Sequence, residues 1–409
     1  MIFLRNCLAL LFCSIVITPA PADDAPVSER AAKVHAAGFV FDGHNDLPWR
    51  LREDGDVTFK TIDISNRLDS GHTDIPRLRD GNVRAQFWSV YIPSDQKDPA
   101  RTVTDQIDLV HRMIERYPDV FELALTADDV ERIAATGKIA SLIGIEGGVA
   151  IENDLAQLRA FARQGARYMT LTHNGTLPWA DAAVGEPLHD GLTPFGERVV
   201  REMNRLGMLV DISHVSAATM ADALRVSEAP VIASHSNAYA KCPVPRNVPD
   251  DILALVAKNG GVIMANFYSG FVVPDGADKI REELKAKYSD PQAYEKAAKA
   301  YFTEHPLPRG TVPDVVDHID YLVKTAGIDH VGLGADFDGV DRLPVGLDDV
   351  SSYPKITEEL LKRGYSESDI HKIMSGNVIR AFREAGKVAE RLQKTTEPEV
   401  DQPVKPKRK

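Results

Sequence analysis

Short apolar runs recur along the chain at 38–46, 83–92, 139–147, 166–173, 207–214, 230–236, 260–267 and 330–337. They are apolar without strict alternation, the pattern of parallel strands buried on both faces. Helical patterns lie between most of them. In 102–117, Ile107, Val110, Met113 and Ile114 recur at helical spacing, and 154–164 and 195–206 behave alike. The segment 250–259 predicts a short helix stopped by Gly260 and Gly261. Strand–helix alternation repeated eight times predicts an α/β fold, a (β/α)8 TIM-type barrel. A doubly wound open sheet shares the alternation and is the competing architecture. Residues 274–313 hold a charged helical stretch, too short to bury a large core alone, which predicts a helical insertion after strand 7. A last helical segment covers 356–392.

Composition narrows this picture. The 409 residues fit one large barrel with additions, and 44% hydrophobic with 26% charged residues is globular. Lys plus Arg number 48 against 60 Asp plus Glu, and a net charge of -12 argues against nucleic acid as a partner. Three cysteines exclude a disulfide scaffold. Residues 1–22 read as a signal peptide: Arg5, an apolar stretch over 8–17, then Ala20, Pro21 and Ala22 before Asp23. Cleavage there would leave Cys242 alone and a periplasmic or secreted protein; an uncleaved membrane anchor is the alternative. The expected plan is one metallohydrolase domain over 23–394 and a disordered tail, rich in Pro and charge, over 395–409.

Six of the eight runs carry a His, Asp or Glu near the C-terminal end, and in a barrel those ends converge on one mouth. His44 and Asp46 sit two apart, which in a strand points both side chains to one side. An imidazole with a carboxylate suits a zinc-like cation, although an isolated H-x-D also occurs by chance. Glu146 ends the third run before Gly147 and Gly148; it could offer one oxygen to each of two cations, or simply pair with an Arg. His214 and His235 end the fifth and sixth runs, where an unpartnered histidine would be costly to bury. Five potential ligands exceed what one cation needs when a position stays open, so two cations bridged by Glu146 and a hydroxide fit the count better. His173, Arg246 and Asp336 are further candidates. An Arg at the mouth can pair with a substrate carboxylate, or form a surface salt bridge. Asp338 lies beyond its run and reads as structural.

Taken together, FDGHNDLPWRL, IGIEGG, TLTHNGTLPWAD, DISHVS, ASHSNA, RNVPDD and GLGADFDG resemble the membrane (renal) dipeptidase family of metallopeptidases, from about Phe39 to Arg383. The resemblance implies an amidohydrolase-type barrel with two zinc ions per chain. His44 and Asp46 would bind the first, Glu146 would bridge, and His214 and His235 would bind the second. It makes Asp336 the general acid/base, with His173 and Arg246 binding substrate and Trp49 and Tyr268 lining the pocket. The implied reaction is hydrolysis of L,L or L,D dipeptides by a metal-bridging hydroxide, and a homodimer is a family-based expectation. Mammalian members carry a lipid anchor and disulfides; with no apolar C-terminal tail and only Cys242 after processing, neither is expected here. Lactone, phosphoester or cyclic-amide hydrolysis, and a non-catalytic periplasmic binding role, are the competing functions.

Overall fold

The computed structural model describes residues 26–400. The proposed signal peptide, 1–22, and the last residues of the tail lie outside them. The strands are β1 (Val40–Asn45), β2 (Val83–Tyr91), β3 (Phe121–Leu123), β4 (Ile139–Glu146), β5 (Ala166–Thr170), β6 (Leu209–Asp211), β7 (Ile232–Ala233), β8 (Val262–Ala265) and β9 (Val331–Leu333). All pairings between them are parallel. Eight form a ring, β1-β2-β4-β5-β6-β7-β8-β9, closed by the β1–β9 and β2–β4 pairings. The closed barrel excludes the open-sheet alternative. It also contains a strand the hydrophobic pattern did not predict. β3 is three residues long, pairs with Ile139–Ser141 at the start of β4, and stands outside the ring.

The ring strands form where both faces are covered. Val83 and Trp88 of β2, Ile143 of β4 and Val210 of β6 are buried in the large core that also takes Val103, Leu158 and Met203 from the surrounding helices. A second core holds Phe41, Phe87, Leu142, Tyr168 and Met264 together with Val378, Ile379 and Phe382 of the last helix, Asn377–Thr395. Phe87 and Tyr168 belong to strands two apart in the ring, yet their ring centroids are 4.7 Å apart. That contact crosses the lumen, so the barrel is filled by side chains. The last helix closes the lumen at the end opposite the strand C-termini. Phe382 reaches Phe87 at 6.4 Å between ring centroids.

Helices Ala277–Lys287 and Pro291–Glu304 occupy the insertion that follows β8. The expected disordered segment from Thr395 includes residues that are tied down. Thr395 ends the last helix, Arg159 Nη1 donates to the Glu399 carbonyl at 2.6 Å, and the Glu399 N–H donates to Glu202 Oε2 at 3.1 Å. Arg198 and Arg201 pair with the Glu399 side chain. Composition alone does not register this long-range anchoring. Among the described residues no helix is long and apolar enough to cross a membrane. Cys242 is buried and in no disulfide.

His318 ties the helix Val312–Ala326 to the barrel mouth. Its Nδ1 accepts from the Ala238 N–H at 3.2 Å and its Nε2 donates to the Val272 carbonyl at 2.8 Å, which requires a neutral ring. Burial lowers its pKa from 6.5, against the raising effect of the Val272 bond. The unfolded chain therefore binds this proton more readily. The stabilising contribution is complete above pH 6.5 and is lost as pH falls from there toward the folded value, by about 1.4 kcal/mol per pH unit. Urea unfolding of the parent and His318→Gln between pH 7.5 and 5 should show a shallower acid slope for the variant. Parallel slopes would show that His318 does not titrate on unfolding.

Candidate metal centre

The C-terminal ends of β1, β4, β6, β7 and β9 deliver His44 with Asp46, Glu146, His214, His235 and Asp336 to one place. Asp46 is the N-cap of the helix Leu47–Glu53 but makes no capping bond with its side chain. It turns instead to His44, with Oδ2 3.2 Å from Nε2. Glu146 divides its oxygens. Oε2 lies 3.4 Å from His44 Nε2 and accepts from Ser89 Oγ at 3.2 Å. Oε1 faces His214 Nε2 at 3.0 Å, His235 Nε2 at 3.5 Å and His173 Nε2 at 3.9 Å. Gly147, at φ 118, lets the chain turn away directly after this carboxylate. His214 and Asp336 hold φ 67 and 68, conformations costly for residues with a Cβ and common at functional sites.

The three imidazoles are anchored by their far nitrogens. His44 Nδ1 lies 2.8 Å from Tyr168 Oη, His214 Nδ1 3.1 Å from Asn174 Oδ1, and His235 Nδ1 2.7 Å from Ser234 Oγ. All three Nε2 atoms thus converge. His44 Nε2 is buried without a hydrogen-bond partner, and the Nε2 atoms of His214 and His235 stand 2.8 Å apart. Gly144 makes the first anchor possible, because a Cβ there would lie 2.0 Å from the Tyr168 ring.

Charge follows the same arrangement. Burial alone would raise the Glu146 pKa, but His44, His214 and His173 outweigh it and hold the carboxylate well below its usual range. Burial, then Arg246 and His173, keep His214 neutral; burial, then His44 and His214, do so for His235. Burial also opposes a charge on His44, yet Tyr168, Asp46 and Glu146 draw a proton onto it. Asp336 is pushed up to about 8, chiefly by burial, with Asp46 and Glu146 adding to the effect. The donors present therefore suit divalent cations: the neutral imidazoles of His214 and His235, that of His44 where a cation would replace the proton, and carboxylates, one with two differently directed oxygens. His44, Glu146 and His235, then Glu146, His173 and His214, then His44, Asp46 and Asp336 form three overlapping groups, each with ligand atoms within 4.8 Å.

A cavity of about 630 Å³ opens beside this centre, lined by Trp49, Tyr91, His173, Arg246, Tyr268 and Asp336 among others. His173 packs between Tyr91 and His214, with ring centroids 4.6 and 4.4 Å away, and burial lowers its pKa. Trp49 meets Tyr91 edge-on at 4.9 Å, and Tyr268 meets Phe271 likewise at 4.9 Å. Arg246 is 3% exposed and lies 5.1 Å over the Phe271 ring. Its Nη1 donates to Ser236 Oγ at 3.4 Å, while Nε and Nη2 find no partner among the described residues. Asp338 is held elsewhere, accepting from the His72 N–H at 2.6 Å and pairing with Arg50 at 3.4 Å. Sequence reasoning passed over Tyr91, Tyr168, Asn174, Ser234 and Asn266. Several stand in the same apolar runs as the clustered residues, but only the folded chain shows what they touch.

The model of the membrane dipeptidase family, peptidase family M19, matches residues 28–396. Dipeptidase 3 of Mus musculus is 40% identical over 359 residues, which cover 86% of this chain and 65% of that protein. This chain thus spans slightly under two thirds of that curated relative. Among solved structures, the probable dipeptidase PvdM from Pseudomonas aeruginosa superposes with a TM-score of 0.78 at 26% identity, covering 88% of this chain and 98% of that one. A metallo peptidase from Rhodobacter sphaeroides, solved with a phosphinate mimic of the dipeptide L-Ala-D-Ala, gives 0.68 at 26% identity over 85% and 99%.

The converging donors predict that cations stabilise the fold. Zinc at a hundred times its Kd adds about 2.7 kcal/mol to a protein that binds it only when folded. Chelation should lower the thermal midpoint and zinc should restore it, and a midpoint indifferent to both would show that the cluster holds no cation. Gly144→Ala should weaken zinc binding by displacing Tyr168 from His44.

Proposed function

The chain belongs to the membrane dipeptidase family, and on that premise we propose that it is a dipeptidase hydrolysing the peptide bond of short L,L or L,D dipeptides. The reading includes two zinc ions per chain, the first held by His44, Asp46 and Glu146 and the second by Glu146, His214 and His235. The split orientation of the Glu146 oxygens and the paired Nε2 atoms support two positions. When bound, such a pair supplies Lewis acidity toward the carbonyl and brings the pKa of water toward about 7. The dipeptide mimic bound to the Rhodobacter relative supports an L,D substrate.

The observation that carries the substrate class is Arg246. A buried guanidinium with two N–H-bearing nitrogens unpartnered is costly unless an anion arrives. A free carboxylate beside the scissile bond meets that need, and the fork geometry of Arg fits it bidentately. The clamp favours substrates whose C-terminus lies one residue beyond the cleaved bond. Trp49, Tyr91, Tyr268 and Phe271 supply apolar walls for the two side chains. The neutral His173 ring would donate to the carbonyl oxygen as it gains negative charge. With cations beside it favouring its ionised form, Asp336 would take a proton from water and return it to the leaving amine; Asn266 Nδ2 donates to its Oδ2 at 2.9 Å and fixes its orientation.

A panel of L,L and L,D dipeptides, assayed before and after chelation and zinc return, tests the reading. Chelator-sensitive cleavage restored by zinc is expected. Zinc-loaded protein that cleaves no dipeptide would move the substrate to another amide, ester or lactone. Asp336→Asn should keep its cation content and lose roughly 10²–10⁴-fold in kcat. Near-parent kcat in that variant would remove Asp336 from proton transfer. Arg246→Ala should raise KM steeply for free dipeptides, and C-terminally amidated dipeptides should already be poor for the parent. Equal rates on free and amidated substrates would dispose of the carboxylate clamp.

A further inference from the structure

The three histidines are not anchored equivalently. The Tyr168 hydroxyl can accept from His44 Nδ1 or donate to it, so that contact alone does not say which ring nitrogen carries the proton. Asn174, the partner of His214, is an exposed mouth residue. His235 is different, because its partner is committed elsewhere. Ser234 Oγ donates its single proton to Asp211 Oδ2 at 2.6 Å. It can therefore only accept from His235 Nδ1, which must carry the ring proton and leave Nε2 as a lone pair.

Asp211, the buried last residue of β6, does more than hold this hydroxyl. Its Oδ2 also accepts from Thr170 Oγ1 at 2.5 Å. Its Oδ1 accepts from the backbone N–H of Ser213 at 3.0 Å and of Ser234 at 2.9 Å. Those residues immediately precede His214 and His235. The His235 N–H in turn donates to Ser213 Oγ at 3.0 Å. One carboxylate thus sets the backbone under both histidines of the second cation position and, through Ser234, the tautomer of one of them. It makes no comparable contact with His44 or Asp46.

We infer that Asp211 and Ser234 are positioning residues for the second cation position, locking His235 in the Nδ1–H form and making retention there depend on a buried carboxylate–hydroxyl pair. The inference rests on the two-cation reading. Ligand-orienting partners of this kind typically account for about 10–100-fold in metal affinity. Loss of the Ser234 hydroxyl should therefore empty one position before the other.

The test compares parent, Ser234→Ala, Ser234→Thr and Asp211→Asn. Bound zinc per chain is measured by elemental analysis after dialysis against buffered free zinc. Imidazole ¹⁵N shifts are recorded on the cation-free proteins. The parent should hold two zinc ions. Ser234→Ala should bind one with parent affinity and the other about 10–100-fold more weakly, and Ser234→Thr, which keeps the hydroxyl, should restore it. In the cation-free parent, His235 should show the Nδ1–H pattern, and Ser234→Ala should lose its dominance. In Asp211→Asn the new amide can donate to Ser234, whose proton then turns to Nδ1 and favours the Nε2–H form. If that variant does not fold, the alanine and threonine pair still decides. Two ions held by Ser234→Ala with parent affinity, or equal weakening of both, would overturn the inference. A parent that binds fewer than two ions would count against the two-cation reading instead; the ¹⁵N pattern of His235 would then judge the tautomer lock by itself.

Discussion

Two imidazole nitrogens 2.8 Å apart, with their rings held from behind, are an arrangement that must be satisfied by a ring proton shared between them or by a cation in its place. Much of the rest of this structure follows from meeting that need inside a protein interior. Glu146 turns one oxygen to each side of the cluster, and the Asp46 side chain joins it rather than capping the helix it begins. The barrel brings these groups together cheaply in chain length, because each of them stands at the end of a strand already buried for other reasons. The positive-φ backbone at His214 and Asp336 is part of the cost of aiming them, offset by packing on every side.

The strands and the polar residues that gather at the barrel mouth were legible in the sequence for related reasons. A parallel strand covered on both faces must be apolar along its whole length, and a polar residue at its end stands out. β3 escaped because Phe121–Leu123 is too short to form a run, and only its pairing with β4 makes it a strand. The supporting residues were hidden differently. Tyr168 reads as strand filling until its hydroxyl is seen beneath His44 on a strand across the lumen. Asp211 and Ser234 sit inside apolar runs that were legible, but their pairing joins two strands, and spacing along one strand carries no trace of it. The anchored Glu399 shows the same limit in a tail whose composition resembles disorder.

Asparagines form a further layer between clamp and centre. Asn247 Oδ1 accepts from the Asn237 N–H, Asn237 Oδ1 accepts from the Asn266 N–H, and Asn266 Nδ2 reaches Asp336. Asn266 Oδ1 also accepts from the Tyr268 N–H. Asn247 adjoins Arg246 in sequence, so the residue proposed to grip the substrate is flanked by the buried amide network that holds the residue proposed to move its proton. Such networks have few alternative arrangements once every member is satisfied, which favours fixed spacing between clamp and centre.

The last helix, packed against the far end of the lumen through Val378, Ile379 and Phe382, makes the barrel a blind well. On the proposed reading, substrate and cations would both enter through the mouth. A substrate held at Arg246, in the cavity that opens beside the cluster, would hinder cation escape. Turnover and cation exchange would then be competing traffic through one opening, and the exchange rate of the ions would report how often that opening is vacant.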